Sequence, residues 1–223
     1  MPVGNGARLE AKIRLVRPGL EEAAARMWSR PCSASLYPEY LIALHGVVRA
    51  SVPLMEEALR RSREVASGDP VAAGMLAYLE RHIEEERGHD RWLLEDLEIL
   101  GVPPGEVWAR PPADSTARAV GAQYYWIRHH HPVALLGYVA VLEGRPPSVE
   151  FLDRTVEATG LPRAAFRTLY THAQSDVGHR LDLHALLDGL PLESRHESLV
   201  ARSAFHTVAE LAETLLRVVD GAP

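Results

Sequence analysis

The chain has one cysteine, Cys32, among 223 residues. A single thiol excludes an intramolecular disulfide and any cysteine-built zinc or iron–sulfur cage. Basic excess is also missing. Lys and Arg total 24 against 30 Asp and Glu, for a formal net charge of −6, so no nucleic-acid partner is expected. Long apolar runs are absent as well. The longest, Val133 to Leu142, is too short to span a bilayer, and no membrane partner is expected. The opening residues Met1 to Arg8 lack the apolar core of a signal peptide, which makes a cytoplasmic location the expectation. Finally, no segment alternates apolar and polar residues as a half-buried strand does.

What remains is a helical pattern. Hydrophobic residues make up 47% of the chain and charged residues 24%, the composition of an ordinary folded domain. Residues 1–223 read as one helical domain with residues 1–17 as an irregular arm. A short helix is expected over Gly19 to Trp28, and a long one from Pro38 to Val65, kinked at Pro53. Asp69 and Pro70 are an N-cap and a first helical residue, and the apolar period then continues unbroken to Leu100. Gly101 to Ser115 reads as a loop with one turn at Glu106 to Ala109. Helix resumes near Asp114. His129, His130 and His131 precede a break at Pro132, and Val133 to Glu143 is apolar all round, as a buried helix is. Ser148 caps a short helix, another long one follows Pro162 to Leu187, and an amphipathic helix covers Glu197 to Val219. The expected architecture is an all-α bundle of about seven helices.

The chemistry-bearing residues lie on these helices. His172, Asp176 and His179 stand at relative positions 0, 4 and 7, which places them on one helical stripe. His82, Glu86 and His89 repeat those offsets, with Glu85 on the flank. Imidazole and carboxylate are the groups that hold iron, manganese or zinc. The other reading is a solvated polar face, and Arg81, Glu84, Arg87, Asp90 and Arg91 favour ion pairs around the second cluster. Glu143 is the only charge between Val133 and itself; it is either a surface residue at a helix end or a buried carboxylate needing a cation. His45 and Glu56 share a face of the long second helix with Arg49 between them, and either could complete a cage. Trp92, Tyr124, Tyr125, Tyr138 and Tyr170 would line a pocket or simply pack in the core. Arg49 or Arg180 would hold a substrate carboxylate. His184, His196 and His206 have no partner pattern.

Glu86-x-x-His89, then Glu143 after Gly137-Tyr138-Val139-Ala140-Val141-Leu142, then His172-x3-Asp176-x2-His179 together resemble the heme-oxygenase-like di-iron oxidases and oxygenases, over about Tyr37 to Leu190. The resemblance implies a heme-oxygenase-like bundle without heme. It implies Fe(2+), two ions per chain, with Glu86, His89, Glu143, His172, Asp176 and His179 as ligands; manganese is the alternative metal. It implies O2, an external reductant and a small organic substrate as partners, and a homodimer. His82 stands where many members carry Glu, and Ala50 to Met55 contains no acid where many carry a ligand, so either His45 or Glu56 would substitute or one metal position would be weaker, with a mono-iron or manganese site as the alternative to two irons. Metal-free thiaminase-II-like or quinone-synthase-like enzymes share the fold, and a non-enzymatic iron sensor is the remaining alternative. In the thiaminase reading Cys32 is the sole candidate nucleophile.

Overall fold

The computed structural model describes residues 4–29 and 33–221, so Cys32 lies outside the described residues. Among the described residues eleven α-helices follow one another: α1 (Asn5–Val16), α2 (Pro18–Trp28), α3 (Ser33–Val65), α4 (Pro70–Glu86), α5 (His89–Ile99), α6 (Pro104–Ala109), α7 (Asp114–His129), α8 (Leu135–Leu142), α9 (Val149–Thr159), α10 (Arg167–Gly189) and α11 (Ser194–Asp220). Short 3-10 turns lead into α8 and α10. No strand occurs among the described residues, and none of their helices is long and apolar enough to cross a membrane.

The all-α expectation holds, but the helix count is higher than seven. Two differences have clear causes. The expected irregular arm is instead helix α1. Leu9 and Ile13, four residues apart, are buried in the core, and Asn5 Nδ2 donates to Leu187 O at 2.8 Å while Gly6 N donates to Asp188 Oδ1 at 2.8 Å. A weak periodic signal is thus fastened to α10 from outside. The expected continuous helix from Pro70 to Leu100 is broken between α4 and α5 by Gly88, whose φ of 92° lies in the left-handed region. Glycine adopts that conformation without steric cost, and apolar periodicity on both sides conceals the turn.

The start of α4 follows from its sequence. The Asp69 side chain accepts from Val71 N and Ala72 N, and Pro70 begins the helix. Such a cap stabilises a helix by about 1 kcal/mol. Helix α3 runs through both Pro38 and Pro53 to Val65. α11 lies along α8, α2, α7 and α1, whereas α3 lies along α4, α5 and α7. The main core between them includes Leu54, Met75, Leu79, Ile127, Leu135 and Leu136, all at 0% exposure. A second core surrounds Tyr37, which stacks on Phe166 at 4.1 Å and donates to Ala165 O, anchoring the entrance to α10.

α8 is buried because it passes α11 at backbone contact. A Cβ on Gly137 would lie 2.1 Å from Val200 O and 2.8 Å from Ala204 N. Gly137→Ala is therefore expected to cost about 1–3 kcal/mol, the range for forcing atoms into a filled core. Gly105→Ala, where a Cβ meets nothing within 4 Å, is expected to stay within about 0.5 kcal/mol. Thermal unfolding followed by circular dichroism compares the two; equal midpoints would contradict the close approach.

Candidate metal centre

Four helices deliver the site. His82 and Glu86 are one turn apart on the inner face of α4. The glycine turn at Gly88 lets His89 open α5 beside Glu86. Glu143 is the residue at which α8 ends, so its side chain leaves an apolar helix at the interior. His172, Asp176 and His179 come from α10, which packs against α4, α5 and α8.

Two groups of donor atoms result, each within 4.8 Å of one another: His82, Glu86, Glu143 and His179 in one, and Glu86, His89 and His172 in the other. Glu86 belongs to both. His82 Nε2 lies 2.8 Å from Glu143 Oε1. His89 Nδ1 lies 2.9 Å from Glu86 Oε2 and 3.2 Å from His172 Nε2. His179 Nδ1 lies 3.6 Å from Glu86 Oε1, 3.7 Å from Asp176 Oδ1 and 3.8 Å from Glu143 Oε2. Those last contacts are too long for hydrogen bonds. Glu86 Oε1, Glu143 Oε2 and His179 Nδ1 are all buried and without a hydrogen-bond partner among the described residues. Three orphaned, buried donor atoms facing one another fit a cation between them, since such atoms are otherwise costly to leave unsatisfied.

The ligands' far sides are held. His172 Nδ1 donates to Thr168 O at 2.9 Å. In the neutral ring this leaves the Nε2 lone pair turned into the cluster. Thr168 is fixed in turn, its N–H donating to Asp96 Oδ2 at 2.9 Å. His82 Nδ1 faces Glu85 Oε2 at 3.3 Å. Aromatic rings cover two imidazoles: Tyr78 lies over His82 at 5.1 Å, and Trp92 stacks on His89 at 4.1 Å.

The electrostatics follow from burying three carboxylates together. Burial alone would lower His82, but its hydrogen bond to Glu143 and the charges of Glu143 and Glu86 outweigh this and hold it up at about 9. Burial raises Glu143, with Glu86 adding and His82 opposing. Burial also acts to raise Glu86, yet the hydrogen bond and charge of His89 keep it below the usual carboxylate range. Asp176, 3% exposed, is pushed up to about 8 by burial and then by the charge of Glu143. Burial, with the neighbouring His89, lowers His172.

All six residues of the expected ligand set converge here, and so does His82, which joins the first group directly. Asp176 stands at its edge, in neither group. Glu85 is 38% exposed and sits behind His82 at the rim. Glu56 does not come inward: it is 52% exposed, 3.8 Å from Arg87. His45 is buried elsewhere, edge-on to Trp108 at 5.1 Å, and Arg49 lies over the same Trp108 ring at 5.2 Å. His45 thus meets α6 and Glu56 meets the Arg87 end of α4, and neither belongs to a donor group. Tyr138 is buried with its hydroxyl near Val47 O and Ser51, Tyr124 lies under Arg128, and Tyr125, 56% exposed, rests on His129 and His130. Tyr170 donates to Asp153 at the surface. Sequence reasoning did not single out Tyr78 or Asp96. An acid between Leu93 and Leu97 on the inner face of α5 was the available signal for the latter.

Solved structures with this arrangement of helices define the class. A domain of unknown function with a heme oxygenase-like fold from Shewanella denitrificans superposes with a TM-score of 0.75, 17% identity, and coverage of 97% of this chain and 89% of that one. A CADD-like protein of unknown function from Nostoc punctiforme gives 0.73, 16%, and 97% and 98%. A TenA homolog from Pseudomonas syringae gives 0.69, 15%, and 93% and 92%. This is a heme oxygenase-like fold. No curated protein matches the chain. The iron-containing redox enzyme family matches residues 47–212, and the chain belongs to it.

Asp176 gives the site a measurable pH signature. With its folded value raised from 3.8 to about 8, its contribution to stability is complete below about 4 and is lost as pH rises through about 8. Asparagine cannot ionise. In metal-free protein, Asp176→Asn is expected to match the wild type near pH 4 and to become progressively more stable than it up to about pH 8. Denaturant midpoints across that range test this; a constant difference would show that Asp176 ionises normally.

Proposed function

We propose that the chain is a non-heme di-iron oxidase or oxygenase that uses O2 on a small organic substrate. The observation that carries this reading is the pair of donor groups sharing Glu86, with orphaned Glu86 Oε1, Glu143 Oε2 and His179 Nδ1 facing one another. Sharing one carboxylate between two sets of imidazole and carboxylate donors is how helical bundles hold two iron ions. Membership of an iron-containing redox family supports the choice of iron.

His82, Glu86, Glu143 and His179 would hold one ion, and Glu86, His89 and His172 the other, with Asp176 beside the first. Iron held there would supply the electrons for reducing O2. The protein's own residues do the rest. Thr168 O and Glu85 orient the His172 and His82 rings, and small losses of such orientation lower metal affinity about 10–100-fold. Tyr78, Trp92 and the apolar helix α8 exclude water, which strengthens every charge interaction inside. His82 and Asp176, proton-loaded in the metal-free state, release protons when a cation binds, so affinity rises with pH.

The test is metal content. After anaerobic ferrous loading and desalting, mass spectrometry of the metal is expected to give about two irons per wild-type chain. His82→Ala and His172→Ala are each expected to retain about one, and Glu86→Ala to retain almost none, because that carboxylate serves both groups. Oxygen uptake by the ferrous wild type would follow. A folded wild type that takes up no metal, or a Glu86→Ala variant with full occupancy, would reject the proposal.

A further inference from the structure

An open groove of ≈ 570 Å³ lies between α2, α3, the α8–α9 connection, α9 and α10. One wall is aromatic and already assembled. Trp28 packs edge-on against Tyr40 at 5.3 Å and against Phe151 at 5.7 Å. Leu152 and Leu169 continue the apolar lining. The groove also contains Arg17, Arg145 and Glu21. Arg145 Nη1 pairs with Glu21 Oε1 at 2.8 Å. Arg17 is half-buried and has no ion pair among the described residues. The groove therefore holds two guanidinium groups and one carboxylate. Burial and then the charge of Arg145 push the Arg17 guanidinium below its ordinary value, more than the charges of Glu21 and Glu10 offset; a further anion against it would favour its charged form.

Arg17 also connects the groove to the proposed centre. It lines a small cavity together with Glu143, Gly144 and Arg180. Its Nη2 lies 3.6 Å from where a Cβ on Gly144 would sit, one residue beyond Glu143.

We propose that this groove binds a small organic monocarboxylate, its apolar body against Trp28, Tyr40 and Phe151 and its carboxylate on Arg17. Two guanidinium groups against one carboxylate leave the groove lining one positive charge, which matches one negative charge, and the planar fork of Arg17 suits a carboxylate. Treating this molecule as the substrate rests on the redox reading of the centre; its binding does not.

The experiment uses metal-free full-length protein with phenylbutyrate, phenylbutanol and phenylbutylamine, followed by calorimetry and tryptophan emission. Phenylbutyrate is expected to bind saturably and about tenfold or more tighter than the alcohol, with the amine weakest, as a charge-assisted contact requires. Arg17→Gln is expected to bring the acid down to the alcohol's affinity, with partial recovery in Arg17→Lys. Trp28→Ala is expected to weaken acid and alcohol alike. An acid that binds no better than its alcohol, or a folded Arg17→Gln that binds it unchanged, overturns the proposal, as does the absence of saturable binding. If Arg17→Gln fails to fold, the acid-to-alcohol comparison in the wild type still decides. Carboxylate binding without iron uptake would uphold the groove and reject the redox reading, and the converse would do the opposite.

Discussion

Burying Glu86, Glu143 and Asp176 within one bundle interior is the constraint on which the rest of this structure depends. Carboxylates out of water need compensating positive charge, and the imidazoles of four histidines are gathered around them. The 2.8 Å contact between His82 and Glu143 is the tightest expression of that demand. Without a cation, protons do the compensating, at His82 and at Asp176. The same groups become ligands once those protons are displaced, so the features that strain the metal-free interior are those that make it receptive to a metal.

Holding that arrangement requires helix segments to arrive at defined depths. Gly88 turns the chain between two donors that a continuous helix would carry in a different relation. Gly137 lets α8 sink against α11 until Glu143, at its end, reaches the interior. Asp96 on α5 ties down the start of α10 through Thr168, one turn before His172. None of these three is a donor in either group, yet each sets where a donor lies.

The aromatic residues divide between two tasks. Tyr78 and Trp92 lie on imidazoles of the centre, whereas Tyr40 and Phe151 both pack on Trp28 and line a groove beside α2. Glu143 and Arg17 border one small cavity between the two regions. The centre and the groove are thus neighbours built on different principles, one a balance of buried charge and the other a largely apolar surface edged by Arg17, Arg145 and Glu21.

Much of this was legible in one dimension. Helical class, most helix limits and the stripe carrying His172, Asp176 and His179 follow from the 3.6-residue period, because neighbours on a helix face are neighbours in sequence. The second stripe, His82 to His89, was legible as a set of residue types, although the glycine turn inside it was not. Distances between helices have no such local signature. The 0, 4, 7 spacing already sets Glu86 on the stripe and Glu85 on its flank, but nothing in the sequence shows that Glu86 is shared by two donor groups. Nor does spacing reveal that α3 directs His45 toward Trp108 and Glu56 toward solvent. The sequence by itself determined the secondary structure and the stock of donors; only the packing of α4, α5, α8 and α10 decided which donors meet, because that depends on side-chain volumes summed across the whole core.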